Sequence, residues 1–164
     1  RTISVDLGRA STRDILPRMY DPLARALALL DAETPKKNVT YRGNPGDPRG
    51  RVYDVPTMNG RHQLVEAIIV PDQLFEERLD FIAIGVRELP IDANLLVGLL
   101  KLTRGFRRAR LCLLEGNHPK LAVISSFVPD EIHEGSGTRL LHALREAASI
   151  ADSLENQIVG ADVE

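Results

Sequence analysis

The stretch from Arg51 to Glu88 alternates with a period of two, and that constrains the fold more than any other feature of the chain. Such alternation puts successive side chains on opposite faces of a strand. Arg51–Met58 reads as a first strand, and its Pro56, which has no N–H for a ladder, assigns it to an edge. Asn59-Gly60 tolerates positive φ at both residues and predicts a tight hairpin. His62–Val70 is the returning strand, and a turn near Pro71–Glu76 leads into a third, Glu77–Glu88. Three strands so connected make an antiparallel meander.

The flanking segments have helical periods. Leu16, Tyr20, Leu23, Leu27 and Leu30 recur at four and three, but Pro17 and Pro22 interrupt the run. The better helix starts at Asp21, an N-cap with Pro22 at the first helical position, and stops before Pro35. Residues 34–50 read as a Pro/Gly linker, since "RGNPGDPRG" packs three glycines and two prolines into nine residues. It lacks the spacing and closing Lys-Ser/Thr of a phosphate-binding loop, which leaves an exposed connector. After the meander, Ile91, Leu95, Leu99 and Leu102 predict a helix that Asp92 would cap and Gly105 would stop. Leu96, Val97 and Leu100 make it apolar over more than one face. Arg107–Leu114 and Lys120–Val128 are two further strands joined by "EGNHP".

The last helix runs to about Val159, with Leu140, Leu144, Ala147, Ala151, Leu154 and Ile158 in one stripe. "HEGSGTRLLH" leads into it. There Gly135 and Gly137 let the chain turn, and Ser136 or Thr138 would cap the first helical turn. The order α-β-β-β-α-β-β-α predicts an α+β fold in two layers, with an antiparallel sheet of about five strands packed with helices. At 164 residues, with no internal repeat, the chain reads as one domain spanning residues 1–164.

The strands carry more apolar surface than one core needs. "DFIAIGV" has Phe81, Ala83 and Gly85 on one face and Ile82, Ile84 and Val86 on the other, and "AIIV" and "LCLL" behave likewise. Either a helix of the same chain covers each face, or a homodimer seam or protein-binding groove does.

Composition narrows the function classes. Apolar residues are 43% and charged residues 27%, ordinary for a globular protein. With no Trp, four Phe and three Tyr, platforms for stacking bases are scarce. The net charge of −2 gives no global pull on phosphate backbones or anionic lipid. The single Cys112 excludes an intrachain disulfide. No apolar run is long enough to span a membrane, and the first twenty residues lack the apolar core of a signal peptide. These features make the cytoplasm the expected compartment. The chain begins with Arg1 rather than Met, which reads as a trimmed product or a fragment.

No residue constellation announces catalysis. His133 and His142 are nine apart, His62 and His118 stand alone, and there is no HExxH, so no metal site is expected. Cys112 falls in an apolar strand, where a buried inert thiol is usual. Ser125 and Ser126 lie in a strand without a nucleophile-elbow pattern. No cofactor is expected.

Lys101, Arg104, Arg107, Arg108 and Arg110 form a basic cluster that nucleic acid could use. Alternation would set Arg108 and Arg110 on one strand face and Arg107 on the other. From residue 130 onward there are eight Asp or Glu against two Arg, and the preferred reading is that the cluster pairs with these acids.

One resemblance extends over residues 51–158. The segments "LLVGLLKLTRGFRRARLCLLEGNHPKLAVISSFVP" and "GTRLLHALREAASIADSLENQI" resemble the YbjN-like family and the structurally related type III secretion chaperones. The shared pattern is a leucine-rich helix, a strand hairpin and a final helix bearing Ala151, Asp152, Leu154 and Glu155. The resemblance implies a two-layer helix–sheet fold, a homodimer, protein binding without catalysis, and no cofactor. It carries over no active-site residue.

The expected function is therefore a non-catalytic homodimer that acts as a chaperone-like module or adaptor for an unidentified protein. Leu95, Leu99, Leu102, Leu111 and Leu113 are the expected seam or partner surface. The alternatives are a nucleic-acid-associated protein using Arg104, Arg107, Arg108 and Arg110, and an enzyme with a dispersed site near residues 133–142.

Overall fold

A computed structural model describes residues 21–43, 49–87, 93–115, 117 and 119–159. The expectations for Leu16, Tyr20, Ile91, Asp92 and His118, and for the side chains of Leu95, Leu96 and Leu100, lie outside what it describes.

Helix α1 is Pro22–Glu33, and Asp21 caps it as expected: its carboxylate accepts the Leu23 and Ala24 N–H groups at 3.0 and 3.1 Å. Strand β1, Thr40–Tyr41, lies inside the segment read as a linker, and Val39 beside it is buried. The linker is therefore partly structured, because Thr34–Lys37 turns back and lets the chain pair with the next strand. Strand β2 is Arg51–Pro56 and pairs with β1 at Tyr53 and Asp54, so it is not an edge. Pro56 lies beyond those paired positions, where its missing N–H costs no ladder bond.

The hairpin after β2 forms, with a wider turn than expected. Met58–Gly60 makes a 3-10 turn closed by a 2.9 Å bond from Thr57 N–H to the Arg61 carbonyl, with Gly60 at φ +73°. Strands β3, His62–Asp72, and β4, Glu76–Val86, follow. Asp72 closes their turn by accepting the Leu74 and Phe75 N–H groups. Helix α2 is Ala93–Leu102, strand β5 Arg110–Leu114, strand β6 Lys120–Phe127 and helix α3 Gly137–Val159.

The six strands form one antiparallel sheet in the order β1-β2-β3-β4-β6-β5. The extra strand over the expected five is the two-residue β1. Strand β6 inserts between β4 and β5, so the α2 connection crosses over it. The architecture is the expected α+β.

All three helices serve one face of the sheet. The stripe Leu140, Leu144, Ala147, Ala151, Leu154 and Ile158 is buried in a core with Val65, Ala67, Phe81, Ala83 and Val123. Leu23, Leu27 and Leu30 of α1 and Leu99 of α2 join the same cluster. Tyr53 reaches from β2 to α1, donating to Asp31 at 2.6 Å, and burial followed by that carboxylate pushes its pKa up. Arg61 in the hairpin turn pairs with Asp152 at 2.8 Å and with Glu155, anchoring the hairpin to α3. Ala151 and Leu154 of the same segment point into the core, so its four residues divide between packing and anchoring.

Candidate functional site: the open face of the sheet

The alternation that sends Val65, Ala67, Phe81 and Ala83 to the helices sends their neighbours to the opposite face. Register aligns these neighbours in rows across the sheet. One row holds Asp54, Leu64, Ile84, Ala122 and Cys112; the next holds Val52, Glu66, Ile82, Ile124 and Arg110. Beyond them come Ile68, Asp80 and Ser126, then Val70 opposite Arg78. No described element covers this face.

Leu64 is 57% exposed, and Ile68, Val70, Ile82, Ile84 and Leu114 are half-buried. Ala122 and Ile124 are buried by their row neighbours, yet they lie outside the core cluster. A shallow trough along the face is lined by Val52, Leu64, Ile82, Ile84 and Leu114, with Glu66, Arg87 and, from α3 at one end, Glu155 as charged members.

A polar chain crosses the lower rows. Arg78 holds Asp80 at 2.9 and 3.1 Å and reaches Asp72 at 2.9 Å. Ser126 donates to Asp80 at 2.6 Å and accepts from Arg110 at 2.9 Å. Asp80 is only 3% exposed, so these bonds replace the water it has lost. Asp80 and then Asp72 push the Arg78 pKa further up, and Arg78 is the main cause holding Asp72 below the usual carboxylate range. At the other end of the face, Asp54 accepts from Arg42 and sits 2.8 Å from His62 Nδ1. Arg42 first, and His62 after it, lower the Asp54 pKa against the opposing effect of burial.

The β3–β4 hairpin extends past its neighbours. Strand β2 ends opposite Ala67 and β6 ends opposite Leu79, whereas β3 and β4 pair on to Asp72 and Glu76. Its tip carries Leu74, 86% exposed, and Phe75, 39% exposed.

The leucines expected to form a seam separate. Leu99 is 5% exposed and belongs to the protein's own core, so it is not available to a seam. Leu111 is half-buried against that core. Leu102 stays partly exposed and lines a small cleft with Phe106 and Ile150, and Leu113 on the edge strand β5 is 58% exposed.

The basic cluster separates too, because β5 starts at Arg110 and the alternation read over Arg107–Arg110 does not hold. Arg108 lies 3.8 Å over the Phe127 ring, donates to the Ser126 carbonyl and pairs with Glu131. Arg110 bonds Ser126 on the open face, and Arg104 is exposed in the turn after α2. The expected pairing with acids from the C-terminal part is realised for Arg108.

In "HEGSGTRLLH", His133 accepts the Gly135 N–H at 3.2 Å and Ser136 accepts the His133 N–H at 3.0 Å. The expected Ser136 cap thus acts on the short turn before α3, and His142 is exposed. Among the described residues no group of three or more His, Cys, Asp or Glu converges as a metal site, and no helix is long and apolar enough to cross a membrane. Cys112 is half-buried on the open face.

Ile82 and Ile84, with Ile68 and Val70, were legible as parts of strands apolar on both faces; Leu64, which lies outside those stretches, was not. The Arg78–Asp80–Ser126–Arg110 chain was not, because it joins three strands across register. Neither a protein-family model nor a curated protein matches this chain.

Proposed function

We propose that the chain is a non-catalytic, protein-binding module of chaperone-like or adaptor type, working as a homodimer, that meets its partner on the open sheet face. The observation carrying this reading is the apolar surface of Leu64, Ile68, Val70, Ile82 and Ile84, which no described element covers. Solvent-exposed contiguous apolar surface of this kind marks interaction sites in soluble proteins. The charged groups around it, Arg78, Arg110, Glu66 and Asp54, supply a polar rim that sets register with a partner more than it adds affinity. The exposed Leu113 on the edge strand and the partly exposed Leu102 at the end of α2 are the remaining seam residues for the dimer.

Light scattering and partner capture from the host test the reading. A dimer at micromolar concentration that Leu113→Glu dissociates supports the seam. Capture of a protein that Leu64→Glu abolishes, with the melting temperature unchanged, supports the sheet face. A monomer at 100-fold higher concentration that captures nothing overturns both.

A further inference from the structure

A second surface lies on the helix side of the molecule. The first half of α3 and the turn before β5 enclose an open cleft with a basic lining: Arg107 and Arg108 from the turn, and Arg139, His142 and Arg145 from the helix. The three helical residues are spaced three apart, which puts them on one side of α3. Only the turn's basic residues are visible as a cluster in the sequence; the fold adds those of α3.

These cations differ in how far the protein itself occupies them. Arg108 is held by Glu131, the Ser126 carbonyl and the Phe127 ring. Arg139 donates to the Glu131 carbonyl and lies 5.7 Å over the same ring. Glu146, the acidic member of the lining, accepts the main-chain N–H of Arg107 at 2.8 Å, so it holds the turn without engaging that residue's guanidinium. Among the described residues no carboxylate lies within ion-pair distance of Arg107, Arg139 or Arg145. Four guanidinium groups facing Glu131 and Glu146 leave two positive charges uncompensated.

We infer that this cleft binds a phosphomonoester dianion, the terminal phosphate of a small ligand, through Arg107, Arg139 and Arg145. Planar guanidinium forks match phosphate oxygens in bidentate geometry, and a phosphomonoester near neutral pH carries about the charge the cleft leaves uncompensated. A phosphodiester strand is disfavoured, since it needs a continuous basic track. Here Arg110 is turned away, bonded to Ser126 on the opposite face of the sheet. The cleft is separate from the open sheet face, so its failure would leave the protein-binding reading intact.

Calorimetric titration at low salt tests the inference with three probes: inorganic phosphate, adenosine 5′-monophosphate, and a short single-stranded DNA without terminal phosphates. Saturable binding of either phosphate probe is expected, and tighter binding of the nucleotide would assign the phosphate to a nucleotide rather than to the free ion. Arg107→Ala and Arg145→Ala should each weaken binding by about tenfold, the scale of one charge-assisted hydrogen-bonded pair. Arg110→Ala should leave it unchanged, and matched melting temperatures would show that the variants fold. No binding of either phosphate probe at millimolar concentration overturns the inference. Binding indifferent to both substitutions also overturns it, as does DNA binding tighter than the nucleotide and weakened by Arg110→Ala.

Discussion

Gly137 stands so close to the end of α1 that a β-carbon there would lie 2.9 Å from Cγ of Glu33 and 3.1 Å from the Leu29 carbonyl oxygen. Its backbone is helical, with φ −51°, so the glycine serves proximity and not an unusual turn. The side chain of Glu33 can swing aside, but the Leu29 carbonyl belongs to a helix and cannot. Gly137→Ala should therefore destabilise the protein by roughly 1–3 kcal/mol, the usual cost of overpacking. Chemical denaturation of the two proteins checks this, and an alanine variant as stable as the parent would refute the close approach.

Asp21 satisfies two of the free N–H groups that open α1. Asp21→Ala should cost about 1 kcal/mol, and Asp21→Asn, which keeps the accepting oxygen, should cost less. Thermal melts of the pair separate capping from the longer 3.4 Å contact that Asp21 makes with Arg49.

Asp80 is buried between Arg78 and Ser126 on the open sheet face. Asp80→Ala would strand the Arg78 guanidinium and the Ser126 hydroxyl, at a cost of roughly 3 kcal/mol. Ser126→Ala, which leaves the Arg78–Asp80 pair intact, should cost about 1 kcal/mol. Urea unfolding of both variants gives the order, and equal losses would contradict the central place of the carboxylate.

Acid should weaken the fold. Arg42 lowers the pKa of Asp54, Arg78 that of Asp72, and Arg49 that of Glu77. Burial works to raise Glu131, but Arg108 and the Val128 N–H outweigh it and the net shift is downward. Groups lowered in the folded state favour folding above their unfolded values, and that contribution is lost as pH falls through the folded ones. With ordinary values of 3.8 for Asp and 4.5 for Glu, stability from these pairs should be full above about pH 5 and decline below about pH 4. Unfolding measured between pH 7 and pH 2.5 should show that decline, and Glu131→Gln should be less stable at pH 7 but lose less on acidification. A parent whose stability is flat across the range would contradict the pairing.

The elements were readable where their cause is local. The Asp21-Pro22 start, the hairpin at Gly60, the hairpin of β5 and β6 and the long stripe of α3 all depend on neighbours a few residues away. The errors have non-local causes. The linker contains β1 because β2 offers it a partner, and Pro56 is excused from the edge because that partner stops short of it. The arginines from 107 to 110 divide because the strand begins three residues later than its composition implies. Leu99 is core and not surface, and a helix apolar on several faces does not reveal in its sequence which of them meets the core.

By itself the sequence determined the order of every element but β1, the span of α1, the end of α3 and the presence of more apolar strand surface than a single core can use. These follow from periodicity, capping and turn chemistry, which act over one or two turns of chain. Only the tertiary structure decided that β6 lies between β4 and β5, that all three helices share one face, and that Arg139 and Arg145 stand beside Arg107. A period of two is identical on both faces of a strand. The choice between them falls to the packing of helices distant in sequence, and that packing leaves Leu64, Ile82 and Ile84 facing outward.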